Sequence, residues 1–132
     1  MLFRSRLRPL EDAGAAQAER LVPLLAAFDV TVAHTSSSTR CVQTVAPYVE
    51  VTGWPLERHD RLSEEDATAD GVVDLVDGLL EGEEGAVLCT HRPVLPTVLD
   101  ALGVPDVSLD PGSMLVVHHR KGRVVATEVL HP

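Results

Sequence analysis

Two short stretches hold the residues best suited to chemistry. The first is Thr35-Ser36-Ser37-Ser38-Thr39-Arg40-Cys41-Val42-Gln43-Thr44. Its hydroxyls, together with the free backbone N–H groups of a helix start, form a natural anion site. Arg40 falls in the first helical turn, where its planar guanidinium can hold two phosphate oxygens. Thr44 lies one turn later on the same face. Taken alone, the segment also fits a well-capped helix start beside an exposed arginine, because Ser and Thr are common caps. The second stretch is Leu88-Cys89-Thr90-His91-Arg92-Pro93. His91 follows an apolar run and precedes a helix. That places it outside the carboxyl end of a strand, where open α/β sheets bind ligands. Both loops run from strand to helix, so they are expected to share one edge of a sheet. Together Arg40, Ser36 and His91 read as a phosphate site.

Other residues carry weaker signals. Glu64 and Glu65 lie in a polar stretch and can supply a general acid, although acidic loops are usually just solvated. His34 closes a strand before the Ser/Thr loop and can line the pocket. His118 and His119 are adjacent on a strand, so they point to opposite faces and make a poor metal pair. Cys41 and Cys89 lack metal-ligand spacing and read as reduced, partly buried thiols of a cytoplasmic protein. Arg4, Arg6 and Arg8 read as a solvated basic cluster. No cofactor and no metal site is expected.

The elements that must position these residues alternate. Asp12 to Phe28 reads as a helix, with Ala18, Leu21, Val22, Leu25 and Phe28 at helical spacing and Asp12 as its N-cap. Pro23 is expected to kink or interrupt it. Strands are expected at 29–34, 51–59, 85–90, 114–118 and 124–130, and helices at 38–49, 71–80 and 93–102. The stretch 61–70 reads as a polar loop. Gly85 to Thr90 is an unbroken apolar run, as in a strand buried on both faces. Lys121-Gly122 supplies a hairpin turn. This order points to a three-layer α/β sandwich in one domain.

Composition narrows the function. Of 132 residues, 45% are hydrophobic and 23% charged, which suits a folded domain. Lys and Arg number 11 against 20 Asp and Glu, a formal net charge of −9. That argues against general binding to nucleic-acid polymers or anionic membranes, which need a positive face. Aromatics are 3%, too few for base-stacking platforms. No apolar run reaches the ~20 residues of a membrane span.

The motifs, taken jointly, resemble the histidine phosphatase superfamily. Arg8-Pro9-Leu10, Gly14 and Gln17-Ala18 resemble the start of its first helix. The Ser/Thr-Arg-Cys stretch ending at Thr44 resembles its second motif, and Thr90-His91 its third. The SixA-like branch is similar. So is the phosphatase domain that follows a Nudix domain in MutT-type nucleotide hydrolases. The latter likeness rests on Leu21-Val22-Pro23-Leu24-Leu25, on Cys41 after Arg40, and on the run from Val116 to Val125. The resemblance covers Arg8 to the C-terminus and implies a phosphoglycerate-mutase-like fold for the single domain 1–132.

It also implies roles. Arg40 matches the family's second arginine, His91 its second histidine, and Glu64 or Glu65 a proton donor. The family's first arginine and nucleophilic histidine sit in an Arg-His-Gly or Arg-His-Ala motif, and no such motif occurs in this chain. The seven residues before Arg8 are too few for a strand of ~5–6 residues and its connection, so the chain is expected to lack the first strand. The implied substrate is a phosphohistidine protein or a nucleotide phosphate, with an upstream Nudix domain as a partner. Hydrolysis is expected to be impaired without the nucleophile. The alternatives are a non-catalytic phosphate-binding or regulatory module, a fragment of a Nudix-fused nucleotide hydrolase, or a structural domain completed by another chain.

Overall fold

A computed structural model describes residues 9–132. The expected basic cluster and first-strand gap fall on or before residue 8, outside the described residues. Helix α1 runs Asp12–Ala27 and buries Ala18, Leu21 and Leu25. Its N-cap is Glu11, so Asp12 is the first helical residue rather than the cap. There its carboxylate still favours the helix dipole. The helix passes through Pro23 without ending. Pro23 and Glu19 are both exposed, so the carbonyl that loses its donor faces water. At Asp29, φ is +56° and the chain turns back into strand β1, Val30–Thr35.

Helix α2 spans Thr39–Thr52 and β2 spans Leu56–Arg58. A strand was expected from Val51, but the helix takes both Val51 and Thr52. Gly53, at φ +78°, ends it by donating its N–H to the Val49 carbonyl at 2.8 Å. The side chain of Val51 is 72% exposed, so its strand preference meets no sheet to satisfy it. A short 3₁₀ turn follows at Asp60–Leu62, within the stretch expected to be plain loop. Leu62 and Ser63 are fully buried there and pin that loop to the body. Helix α3 is Ala69–Glu81, and its N-cap Thr68 hydroxyl accepts the Gly71 N–H at 3.1 Å.

Strand β3 is Gly85–Cys89 and helix α4 is Leu95–Leu102. The helix begins two residues later than Pro93 suggests. A turn from His91 comes first, with the Val94 and Leu95 N–H groups donating to the His91 carbonyl at 2.9 and 3.0 Å. Strands β4, Met114–Arg120, and β5, Arg123–Leu130, form the expected hairpin. Lys121 and Gly122 both have positive φ, +53° and +77°, as a two-residue turn of this hand requires.

The parallel sheet has the order β2-β1-β3. Val87 packs with Leu21, Leu25, Val30 and Tyr48, against α1 and α2. Leu88 packs with Val72, Val76, Val94 and Val98, against α3 and α4. Adjacent strand residues point to opposite faces, so the helices cover both faces and make three layers. Among the described residues β3 pairs only with β1 and β4 only with β5. Hence β3 is half-buried throughout rather than buried on both faces.

Candidate active site

The site is built where β1 and β3 end side by side. Thr35 is in register with Cys89. The ladder continues one residue further, because the Ser36 N–H donates to the Cys89 carbonyl at 3.0 Å. Two stretches 55 residues apart in sequence therefore leave the sheet at the same point. Ser36 is fully buried and His91 is 9% exposed. His91 Nε2 lies 2.8 Å from Ser36 Oγ, 3.3 Å from Ser38 Oγ and 3.7 Å from Cys41 Sγ. On the other side of the ring, His91 Nδ1 is 3.5 Å from Glu64 Oε1.

The loop carrying Glu64 is held from two directions. The Thr90 hydroxyl donates to the Leu62 carbonyl at 2.6 Å. The Ser37 hydroxyl donates to Asp60 Oδ1 at 2.8 Å, and the Ser63 hydroxyl to the Asp60 carbonyl at 2.7 Å. Glu64 is half-buried against His91, whereas Glu65 is exposed. Arg40 is half-buried in the first turn of α2, close enough for its charge to oppose protonation of His91. Thr44 uses its hydroxyl within the helix, donating to the Arg40 carbonyl at 2.8 Å. Ser38 is the N-cap of α2, but its side chain turns to Ser36 and His91 instead of capping.

The electrostatics follow from these contacts. The Cys41 thiol is held well below the usual thiol range, chiefly by its interaction with the Cys89 thiol. His91, Ser36 and Ser38 add to that stabilisation, and burial opposes it. His91 is pushed up, first by Cys41 and then by Glu64, against burial and Arg40. The shift favours the charged form of the ring, which presents an N–H donor at the end of the sheet. With Arg40 and the α2 N-terminus beside it, this corner can take an anion.

A second histidine pair stands at the neighbouring strand ends. His34 Nδ1 is 2.8 Å from His59 Nε2, and the rings stack with centroids 5.0 Å apart. Glu57 Oε2 is 3.6 Å from His34 Nδ1. Burial lowers both histidines. His34 thus faces His59. The sequence reading did not single out His59, because the expected strand at 51–59 was too long to mark it as the residue after a strand end. A three-residue strand would have placed it there. His118 is exposed and pairs across the hairpin with Glu128 Oε1 at 3.1 Å. Among the described residues no cluster of three or more His, Cys, Asp or Glu is arranged to hold a metal ion. None of the helices described is long and apolar enough to cross a membrane.

Comparison with known proteins follows the same residues. Residues 8–69 match the sequence profile of the histidine phosphatase superfamily, branch 1. An 8-oxo-(d)GTP phosphatase of Mycolicibacterium smegmatis is 32% identical over 136 residues, covering 96% of this chain. The chain spans 42% of that relative's length. SixA from Agrobacterium tumefaciens has a similar fold, with a TM-score of 0.77 and 21% identity over 98% of this chain and 87% of that one. SixA from Nakamurella multipartitia superposes with a TM-score of 0.66 and 18% identity, over 95% and 86%.

Proposed function

The chain belongs to the histidine phosphatase superfamily, and from that premise we propose that it binds a substrate phosphoryl group between Arg40, Ser36 and His91 and serves its hydrolysis. The observation that carries this reading is the 2.8 Å contact between Ser36 and His91, which joins the two phosphate-binding motifs at one corner. Arg40 neutralises the phosphoryl oxygens. The His91 Nε2–H donates to a phosphoryl oxygen that gains charge as a nucleophile, which Arg40, Ser36 and His91 do not supply, bonds to phosphorus and the P–O bond to the leaving group breaks. Ser36 and Ser38 hold that N–H in place until the anion takes it. Glu64, rather than the exposed Glu65, handles the proton of the leaving group, since it alone is half-buried against His91 Nδ1.

Two substrate classes fit, a phosphohistidine protein and a nucleotide phosphate. The relative named for 8-oxo-(d)GTP supports the nucleotide. With that substrate, a Nudix-type domain would be the partner, supplying the preceding hydrolytic step. A second reading is a phosphate-binding or regulatory module without turnover. It is favoured by the lack of any Arg-His-Gly or Arg-His-Ala sequence in these 132 residues. Calorimetric titration with inorganic phosphate tests the site. Arg40→Ala is expected to weaken binding about a hundredfold, as for a lost charge-assisted pair. Unaltered affinity in that variant overturns the assignment. Phosphate release from a phosphohistidine peptide and from a nucleoside diphosphate then separates the readings. Binding without release of phosphate from either selects the regulatory one.

A further inference from the structure

The phosphate chemistry gives the two thiols no role. Cys41 lies in the first turn of α2 and Cys89 at the last position of β3, one residue before Thr90. They are the only cysteines of the chain, and both are free. Cys41 Sγ stands 3.7 Å from His91 Nε2 and 3.6 Å from the Thr90 carbonyl oxygen. It therefore lies against the same ring nitrogen that would meet a phosphoryl oxygen.

We propose that Cys41 and Cys89 are a peroxide-sensitive dithiol that closes into an intramolecular disulfide at the floor of the anion site. Three features support this. The partner thiol lies on the sheet face that meets α2, since Cys89 follows Val87 by two residues on β3, and Cys41 Sγ reaches the carbonyl of Thr90, the residue after Cys89. Cys41 is the one poised to react, because a thiolate is the nucleophile and His91 steadies its charge. Cys89 is pushed in the opposite direction, which suits a resolving thiol that acts second. Cys41 is only 5% exposed, so the oxidant must be small, as hydrogen peroxide is and glutathione disulfide is not.

The chemistry balances in two steps. The Cys41 thiolate attacks one peroxide oxygen, the S–O bond forms, and the O–O bond breaks. The departing hydroxide takes a proton and leaves as water, with Cys41 as a sulfenic acid. Cys89 then gives up its proton and its sulfur attacks Cys41. The S–S bond forms, the S–O bond breaks, and hydroxide leaves as a second water. Two thiols are oxidised by two electrons, and one hydrogen peroxide becomes two waters. A disulfide in that position removes the negative sulfur that raises His91, so oxidation also changes the charge of the anion site.

The experiment uses the 132-residue chain, hydrogen peroxide, iodoacetamide trapping and peptide mass mapping. The expected product has lost two hydrogens, links Cys41 to Cys89, and returns to the dithiol with dithiothreitol. Cys89→Ser is expected to stop at a Cys41 sulfenic acid that dimedone captures. This variant reads the first step even if the double-thiol product is strained. The proposal is overturned if both thiols stay alkylatable, or if disulfides form only between chains or with glutathione.

Only one part of the proposal rests on the phosphate reading. Inorganic phosphate at about ten times its dissociation constant should slow disulfide formation about tenfold by occupying the site. Disulfide formation indifferent to phosphate keeps the dithiol and rejects the anion site. Phosphate binding by calorimetry without disulfide formation does the reverse.

Discussion

His91 and His34 are both buried, both near the carboxyl ends of parallel strands, and titrate in opposite directions. His34 meets another imidazole, His59, and burial dominates, so its neutral form is favoured. His91 meets a thiol and a carboxylate, and their charges outweigh burial. Of the two buried histidines at these strand ends, the neutral form is favoured in His34 and the charged form in His91. Depth alone does not set the sign. The neighbours do, and only the second arrangement suits an anion.

The contrast can be broken most severely by removing each ring. On the proposed hydrolytic reading, His91→Ala is expected to lower turnover about a hundredfold to a thousandfold, as for a lost oxyanion donor. His34→Ala should change it no more than a few-fold, although it leaves His59 without its partner. Equal losses in steady-state assays would erase the distinction between the two. Next in size is the support beneath Glu64. Leu62 is fully buried and its carbonyl accepts from Thr90. Leu62→Ala should cost about 2–5 kcal/mol of stability in urea melts, with part of the loss arising from the cavity.

A smaller effect isolates the carboxylate. Glu64→Gln removes one charge that raises His91. It should lower turnover about tenfold and move the His91 titration downward. Glu65→Gln, at an exposed position, should do much less. Proton-detected histidine NMR sharpens the comparison furthest. The His91 midpoint should lie above the ordinary 6.5, and those of His34 and His59 below it.

Stability should follow the same signs. The folded protein holds more protons on His91 than the unfolded chain does above 6.5. That contribution is fully present below 6.5 and fades as pH rises through the raised value. His34 and His59 bind fewer protons folded than unfolded, so their contribution is present above 6.5 and is lost as the solution is acidified below it. Urea midpoints across this range measure the balance.

Much of the site was legible before any coordinates. An apolar run ending in Thr90-His91, and a Ser/Thr run opening a helix at Arg40, are local signals of strand ends and anion-binding turns. They marked Ser36, Arg40 and His91; the fold brings Ser36 against His91 and puts Arg40 in the first turn of α2. What stayed hidden depended on partners far away in sequence. Leu62 looks like one apolar residue in an acidic loop, and only the fold buries it. Val51 favours a strand, yet the helix holding Val45 and Tyr48 in the core carries it along until Gly53. His59 gains meaning only because β2 is short enough to bring it to His34. Likewise, Cys41 and Cys89 looked like two unrelated thiols until register placed β3 beside the start of α2.

One hydrogen bond links the site to the core directly. The Ser36 amide proton is bonded to the Cys89 carbonyl, one step beyond the last paired residues of β1 and β3. That proton can meet solvent deuterium only if β1 and β3 part at this end. Its exchange should therefore be as slow as that of the buried β1 amides and far slower than those of the surrounding loop. A single backbone position then serves as a gauge of whether the corner at Ser36 and His91 opens by itself or only together with the sheet.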